Sequence, residues 1–567
     1  MHTSILKRLL LAALLAGTTS LTMHAQRGSF SVVDATIADM RDALRAKRVT
    51  SVQLVTQYLQ RIAFYEDHLH AALHVNRQSL SDAEQLDRER RAGRLRGPLH
   101  GIPIAIKDNI LTTDMPTTGG ALAFAGYLPP YEATLVTNLK AAGAIIVAKT
   151  GMTELANWVA GAPTPMPANY NAVGGFGFNP YDPRRDPRPE ADGRPVLPTG
   201  GSSSGIGTAA SLWAANVGTE TSGSILSPAN QNMLVGIKPT VGRVSRYGVI
   251  PITGDQDTPG PLARTVRDAA ILLGALEGAV PDPHDPATRS CQPAPGHDYT
   301  RFLRADALKG ARIGIPRAFY IDPIPASAGE EPRGGLSPAQ RAAVQEAIDV
   351  LRAQGAVIVD PADIPSVIDP DPANNLLRWS ICGAEKHGED EGCSIVFKYG
   401  MKRDFNAWIA TLGSSAPVAS LTALREWNRA HAAAGAIKYG QSLLDSSDDI
   451  DLERDRARYE ADRAKDLRLA ATHGIDEVMK AERLDALLFP GGTGASIAAR
   501  PGYPTVIVPF ALIPNEPTPP FPAGFDAKPA PFGMSFTGMA CSEPRLIALA
   551  YAFEQATKRR VAPASAP

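Results

Sequence analysis

Two apolar runs constrain this chain more than anything else in it. Ile102 to Ile106 and Ala144-Ile145-Ile146-Val147-Ala148 carry no polar position. A sheet face open to water alternates polar and apolar side chains, so strands without alternation must be covered on both faces. Ala133 to Ala142 between them reads as a helix, and from Leu99 to Val159 strands and helices alternate. That pattern belongs to an α/β fold in which helices cover a buried sheet.

The 567 residues, 44% hydrophobic and 20% charged, suffice for one large core or two domains. Neither internal repeats nor a second independent domain is visible. A net charge of −1 makes no electrostatic case for a nucleic-acid partner.

The chemistry concentrates in two serine clusters. The first is Thr199-Gly-Gly-Ser202-Ser203-Ser204-Gly205, whose glycines permit a tight loop that presents hydroxyls to a site. Thr208 to Trp213 reads as a short helix, and Gly218 as the start of a second loop ending Glu220-Thr221-Ser222-Gly223-Ser224. The backbone N–H groups of Thr221, Ser222, Gly223 and Ser224 are the kind that hold a developing oxyanion. No histidine lies nearby to act as base. Upstream, His100-Gly-Ile-Pro-Ile-Ala-Ile-Lys107-Asp108-Asn109 ends an apolar strand in a lysine. Strand alternation sets Lys107 and Asn109 on one face and Asp108 on the other, away from Lys107. At an unperturbed pKa of about 10.4 fewer than roughly one lysine in a thousand is neutral at pH 7. Burial away from carboxylates is what lowers it enough for Lys107 to accept a proton.

In this order, Gly-Ile-Pro-Ile-Ala-Ile-Lys107-Asp-Asn, Gly-Gly-Ser-Ser-Ser-Gly and Gly-Thr-Glu-Thr-Ser-Gly-Ser224-Ile resemble the amidase signature family. The likeness runs from Ile37-Ala38 to Ala548, Tyr551, Glu554, Gln555 and Ala556, and is nearest to the peptide-amidase-like branch. It implies a single large domain, a twisted mixed β-sheet surrounded by α-helices. It also implies a triad of nucleophile Ser224, bridging cis-Ser202 and base Lys107, supported by Ser203 and Glu220. Glu220 stands where the family usually has Asp, and Leu226 where many members have Arg. The stretch from Ser202 to Ser224 is slightly shorter than is usual, which keeps Ser203 and Ser204 beside Ser202 as alternatives for the bridging position. The resemblance implies an amidase acting on a small-molecule or peptide amide, possessing no cofactor, as monomer or homodimer. A glutamine-hydrolysing amidotransferase subunit shares the triad, and a secreted binding protein without catalysis is the alternative from another class.

Lys7 and Arg8 precede an apolar run from Leu9 to Ala16 and a polar stretch ending at Ala25. This reads as a signal peptide over residues 1–25, leaving a mature chain of 26–567 in the periplasm or secreted. The run is far short of the roughly 20 residues of a spanning helix, so no stable membrane insertion is expected. Four cysteines allow three pairings. Cys382 and Cys393 bracket a polar loop that a disulfide can close after export, whereas Cys541, just before a helix cap, reads as a buried free thiol; the pairing of Cys291 stays open. His68, His70 and His74 do not make a metal site, since the family resemblance makes Ala71 to Val75 a strand, where residues four apart are distant.

Helices are expected from Ile37 to Lys47, from an N-cap at Ser51, from Asp268 to Leu276, from an N-cap at Ser337 with Pro338 at N1, and from a cap at Ser542. Strands are expected at Val357 to Val359, Ala486 to Pro490 and Thr505 to Pro509. Asn179 to Pro198 is rich in proline and charge and reads as a surface loop leading to Ser202, with Phe176 and Phe178 lining a cleft. From Asn374 to Glu482 the pattern is helical, and Trp379, Trp408, Trp427 and Tyr439 read as packing residues.

Overall fold

A computed structural model describes residues 30–201, 204–325, 331–384 and 390–567, without the side chain of Ser204. The leader over residues 1–25 and two of the serines named above, Ser202 and Ser203, lie outside the described residues.

Eleven strands form one sheet. In chain order they are β1 (Ala72–Val75), β2 (Ile102–Lys107), β3 (Ala144–Thr150), β4 (Asn216–Glu220), β5 (Val235–Lys238), β6 (Thr258–Ala263), β7 (Arg312–Gly314), β8 (Val357–Val359), β9 (Ala486–Pro490), β10 (Thr505–Ile513) and β11 (Ala530–Thr537). Across the sheet the order is β1-β3-β2-β4-β6-β5-β10-β11-β9-β7-β8. The pairs β3/β2, β2/β4, β9/β7 and β7/β8 are parallel, and the rest are antiparallel. It is the single-domain mixed sheet that the resemblance implies.

Every position of β2, β3, β4 and β6 is buried, as their unalternated or small-residue sequences require. The helix Thr134–Ala141 supplies the crossover between parallel β2 and β3, and Val266–Leu276 lies buried along almost its whole length. The parallel register pairs Ala105 with Asn216 and Ile106 with Val217. Lys107 therefore ends β2 level with Gly218 and Thr219 near the end of β4. Carboxyl ends of neighbouring parallel strands are where α/β sheets place their ligands.

Local signals misplace several boundaries. The helix Ser51–Leu69 is capped by Thr50, not Ser51: Thr50 accepts from Gln53 N–H and the Gln53 side chain accepts from Thr50 N–H. Ser51 is buried in the first turn, where its N–H donates to Asp87 at 2.8 Å. The helix after the first serine loop is Ser204–Ala209, earlier than the stretch from Thr208 to Trp213, because Ser211 takes a left-handed φ of 53° that stops it. Gly218 lies inside β4, where Gly260 on β6 pairs with it, so the second loop begins at Thr221. Ser542 does precede the helix Glu543–Thr557, but its hydroxyl donates to Met539 O at 2.6 Å instead of capping. Ser337 caps Pro338–Ala353 with a capping box closed by Gln340, as expected.

Cys382 and Cys393 form a disulfide, and so do Cys291 and Cys541, with Cα atoms 5.5 Å apart across 250 residues. Cys541 is thus no free thiol. A pairing over that separation leaves no local trace, since only the folded chain brings the two loops together. Among the described residues, Cys382, Asp390 and Cys393 are the one group close enough to share a metal ion, and the two sulfurs are consumed by their own bond. Among them, too, no helix is long and apolar enough to cross a membrane.

Candidate active site

Lys107 is fully buried at the end of β2. Its Nζ donates to the Thr219 carbonyl at 3.2 Å and to Thr219 Oγ1 at 3.0 Å, and both acceptors are neutral. Desolvation lowers its pKa to about 8, against the opposing pull of Asp257 and then Glu220. The alternation read from the sequence holds. Asn109 turns to the Lys107 side and donates Nδ2–H to Thr219 Oγ1 at 3.0 Å. Asp108 turns the other way, to the Thr118 N–H and hydroxyl and to Lys149 Nζ at 3.5 Å.

The loop carrying Ser224 is held by its own carboxylate. Glu220 Oε2 accepts the N–H groups of Ile225 at 2.8 Å and Leu226 at 3.0 Å, bending the chain back over the residues between. Gly223 has φ 108°, which a side chain would strain. Its carbonyl accepts Ser227 N–H at 2.7 Å, while the N–H groups of Ser222, Gly223 and Ser224 donate to no described residue. Ser222 is exposed and Gly223 and Ser224 are half-buried, so the loop opens to solvent above a dry base. Three of the four expected oxyanion donors, Ser222, Gly223 and Ser224, thus stand side by side with no N–H partner among the described residues. Leu226 is buried against Ala209, Ala229 and Leu234, an apolar seat that an arginine could not fill without a partner.

Ser202 and Ser203 lie outside the described residues, but the backbone that leads to them is in place. A Cβ added to Gly201 would stand 3.0 Å from Ser224 Oγ, and one on Gly200, φ 74°, would stand 2.4 Å from Pro228 N. The two glycines thus let the first serine loop lie directly against the second. Gly201 O also accepts Thr153 N–H at 3.4 Å, tying in the end of the segment after β3.

Two residues beside Lys107 escaped the sequence reading. Thr219 is its hydrogen-bond acceptor, and Asp257 is the nearer of two carboxylates in electrostatic effect. Both stand within short stretches, Gly-Thr-Glu-Thr and Asp-Thr-Pro-Gly-Pro, and nothing in either stretch assigns a partner. Glu154, buried near the same loops, has its carboxyl pushed up to about 8 by desolvation, with one N–H, from Ala172 at 3.0 Å, to offset it. Phe178 is buried edge-on to His70, and Phe176 edge-on to Tyr170. His74 lies on β1 and His70 caps the preceding helix.

The sequence matches the family Amidase over residues 53–547. A protein of Arabidopsis thaliana named "Probable amidase" is 34% identical over 540 residues, covering 94% of this chain and 92% of that one. A glutamyl-tRNA(Gln) amidotransferase subunit of Thermosynechococcus vestitus is 32% identical over 544 residues, 92% of this chain and 98% of its own. Among solved structures, the native peptide amidase of Stenotrophomonas maltophilia superposes with a TM-score of 0.76 at 34% identity, covering 94% of this chain and 98% of that one.

Proposed function

We propose that this chain, which belongs to the amidase family, hydrolyses its amides through an acyl-enzyme on Ser224, with Ser202 as proton relay and Lys107 as base. Ser224 Oγ attacks the carbonyl carbon, and its proton passes by way of Ser202 to the neutral Lys107 amine. The carbonyl oxygen, now negative, is met by the backbone N–H groups of the loop from Thr221 to Ser224. Collapse of the tetrahedral intermediate breaks the carbon–nitrogen bond, and the proton taken up by Lys107 returns to the departing nitrogen. A water then attacks the ester by the same route and frees the acid. The observation that carries this reading is Lys107, a buried amine with neutral partners and a pKa lowered to about 8, beside the strand that leads into the Ser224 loop.

The substrate proposed is a C-terminal carboxamide of a peptide, releasing ammonia, or an aryl or acyl amide. Likeness to the Stenotrophomonas maltophilia peptide amidase and the apolar seat of Leu226 support it. The likeness to the Thermosynechococcus vestitus amidotransferase protein favours glutamine as the competing substrate. Peptide amides, anilides, esters and free amino acid amides, assayed with the chain alone, separate the two. Turnover of glutamine alone overturns the peptide-amide reading. Failure of Ser224 to be labelled by a serine-directed reagent favours a binding protein instead.

Export to the periplasm or medium is the second part of the reading. Two disulfides with no free cysteine suit an oxidising compartment. A mature N-terminus near Gln26 on protein recovered outside the cytoplasm is expected, and an intact Met1 on cytoplasmic protein refutes it.

A further inference from the structure

The Thr221 side chain turns inward from its loop and donates its hydroxyl proton to Asp257 Oδ1. The other carboxylate oxygen, Oδ2, accepts the N–H groups of Ile252 at 2.9 Å and Thr253 at 3.0 Å. Beside it, Gln256 Nε2 donates to the Thr221 carbonyl at 3.1 Å. The segment before β6 therefore grips the hydroxyl and the carbonyl of the first residue of the loop. Between Asn109, Thr219, Thr221 and Asp257 a gap of about 10 Å³ remains. That is roughly the space of one water.

We propose that, given Ser224 as nucleophile and Lys107 as base, Asp257 is a positioning residue of the site, fixing the loop from Thr221 to Ser224 from beneath. Oxyanion donors act only when aimed within a few tenths of an ångström, and a loop made of Thr, Ser, Gly and Ser has little side-chain packing of its own to aim them. A half-buried carboxylate with three donors is a firm anchor, because releasing any donor leaves an unpaired charge or N–H.

The charge of Asp257 also reaches the base. Burial pushes its carboxyl up to about 7, against the Thr221 hydroxyl, the Ile252 N–H and the positive Arg246, with Asp404 adding to the rise. Arg246 is itself engaged by Asp285, at 2.8 and 2.5 Å. When ionised, Asp257 is the stronger of the two carboxylates that hold the Lys107 proton on, Glu220 being the other. Removing that charge makes Lys107 neutral at lower pH.

The test is the pH profile of kcat/KM for Asp257→Asn, Thr221→Val, Thr221→Ser and Lys107→Met, with folding checked by circular dichroism. Asp257→Asn keeps the shape of the anchor. It is expected to lower kcat about tenfold with KM within about threefold, and to move the acid limb about one unit toward acid. Thr221→Val should lose kcat to a similar degree without moving the limb, and Thr221→Ser, which keeps the hydroxyl, should restore it. If Asp257→Asn does not fold, equal rates for Thr221→Val and Thr221→Ser overturn the proposal. If it folds, a wild-type kcat and limb overturn it. Wild-type activity in Lys107→Met refutes the base itself, an outcome separate from both.

Discussion

Lys107 and Lys149 stand at the ends of neighbouring strands, both fully buried, and burial lowers both to a pKa of about 8. Their partners differ. Lys149 donates to Thr117 Oγ1 at 2.6 Å and to Pro116 O at 3.3 Å, and it faces the carboxylate of Asp108 at 3.5 Å. Among the described residues, Lys107 has the two oxygens of Thr219 as its hydrogen-bond partners. Desolvation alone thus does not make a base of a lysine. A facing carboxylate turns one amine into half of an ion pair, while neutral acceptors leave the other able to lose its proton with little rearrangement.

The largest effect expected is on turnover. Ser224→Ala and Lys107→Met should each lower kcat by at least about 10³-fold in an amide assay, while Lys149→Met, judged on its folded fraction, keeps most of it. Similar losses of kcat in both lysine variants would break the comparison.

Stability should move in opposite directions, read by urea unfolding at pH 7. Lys149→Met leaves Asp108 buried without its cation and should cost about 3 kcal/mol. Lys107→Met orphans no charge and should stabilise. A fall from 10.5 to about 8 is worth about 3 kcal/mol at about 1.36 kcal/mol per unit. The sign follows from proton counting. The unfolded chain holds this proton more tightly, so the cost is fully present below about pH 8 and is relieved as pH rises toward 10.5. In wild type, stability carried by Lys107 therefore increases across that window, and Lys107→Met flattens that part of the curve. A steeper curve in the variant would contradict the assignment.

Activity follows the same proton. For wild type, kcat/KM should rise with pH to a half-maximum near 8, the value to which burial lowers Lys107. A profile flat from pH 6 to 9 would sink Lys107 as base. The smallest effect is sought at Thr219. Thr219→Val removes the hydroxyl that orients the Lys107 amine and accepts from Asn109, and should lower kcat about threefold to tenfold with KM little changed. No change at all would mean that the Thr219 carbonyl alone suffices to hold the amine.

What the chain reveals without its fold depends on how far apart the interacting residues lie. Unalternated runs predict β2 and β3, and period-two alternation sends Lys107 and Asp108 to opposite sides, because each rests on neighbours a few residues away. The helix from Ser337 is legible for the same reason, its cap and its stop both being local. Caps fail where two candidates adjoin, as at Thr50 and Ser51, since only the buried Asp87 decides which serves. Gly218 reads as a loop residue until β6 pairs with it, because a glycine's preference for turns yields to a ladder formed with a strand some forty residues on.

By itself, then, the sequence determined the α/β class and the order of Lys107, the two serine clusters and Ser224. It also determined the face on which Lys107 lies, all of these being properties of short stretches. Only the tertiary structure decided that Cys291 joins Cys541, that Lys107 rests on Thr219, and that Asp257 anchors Thr221. Each of those contacts joins residues that register and burial bring together. A side chain's local preferences carry no information about a partner that only the packing of the whole sheet delivers.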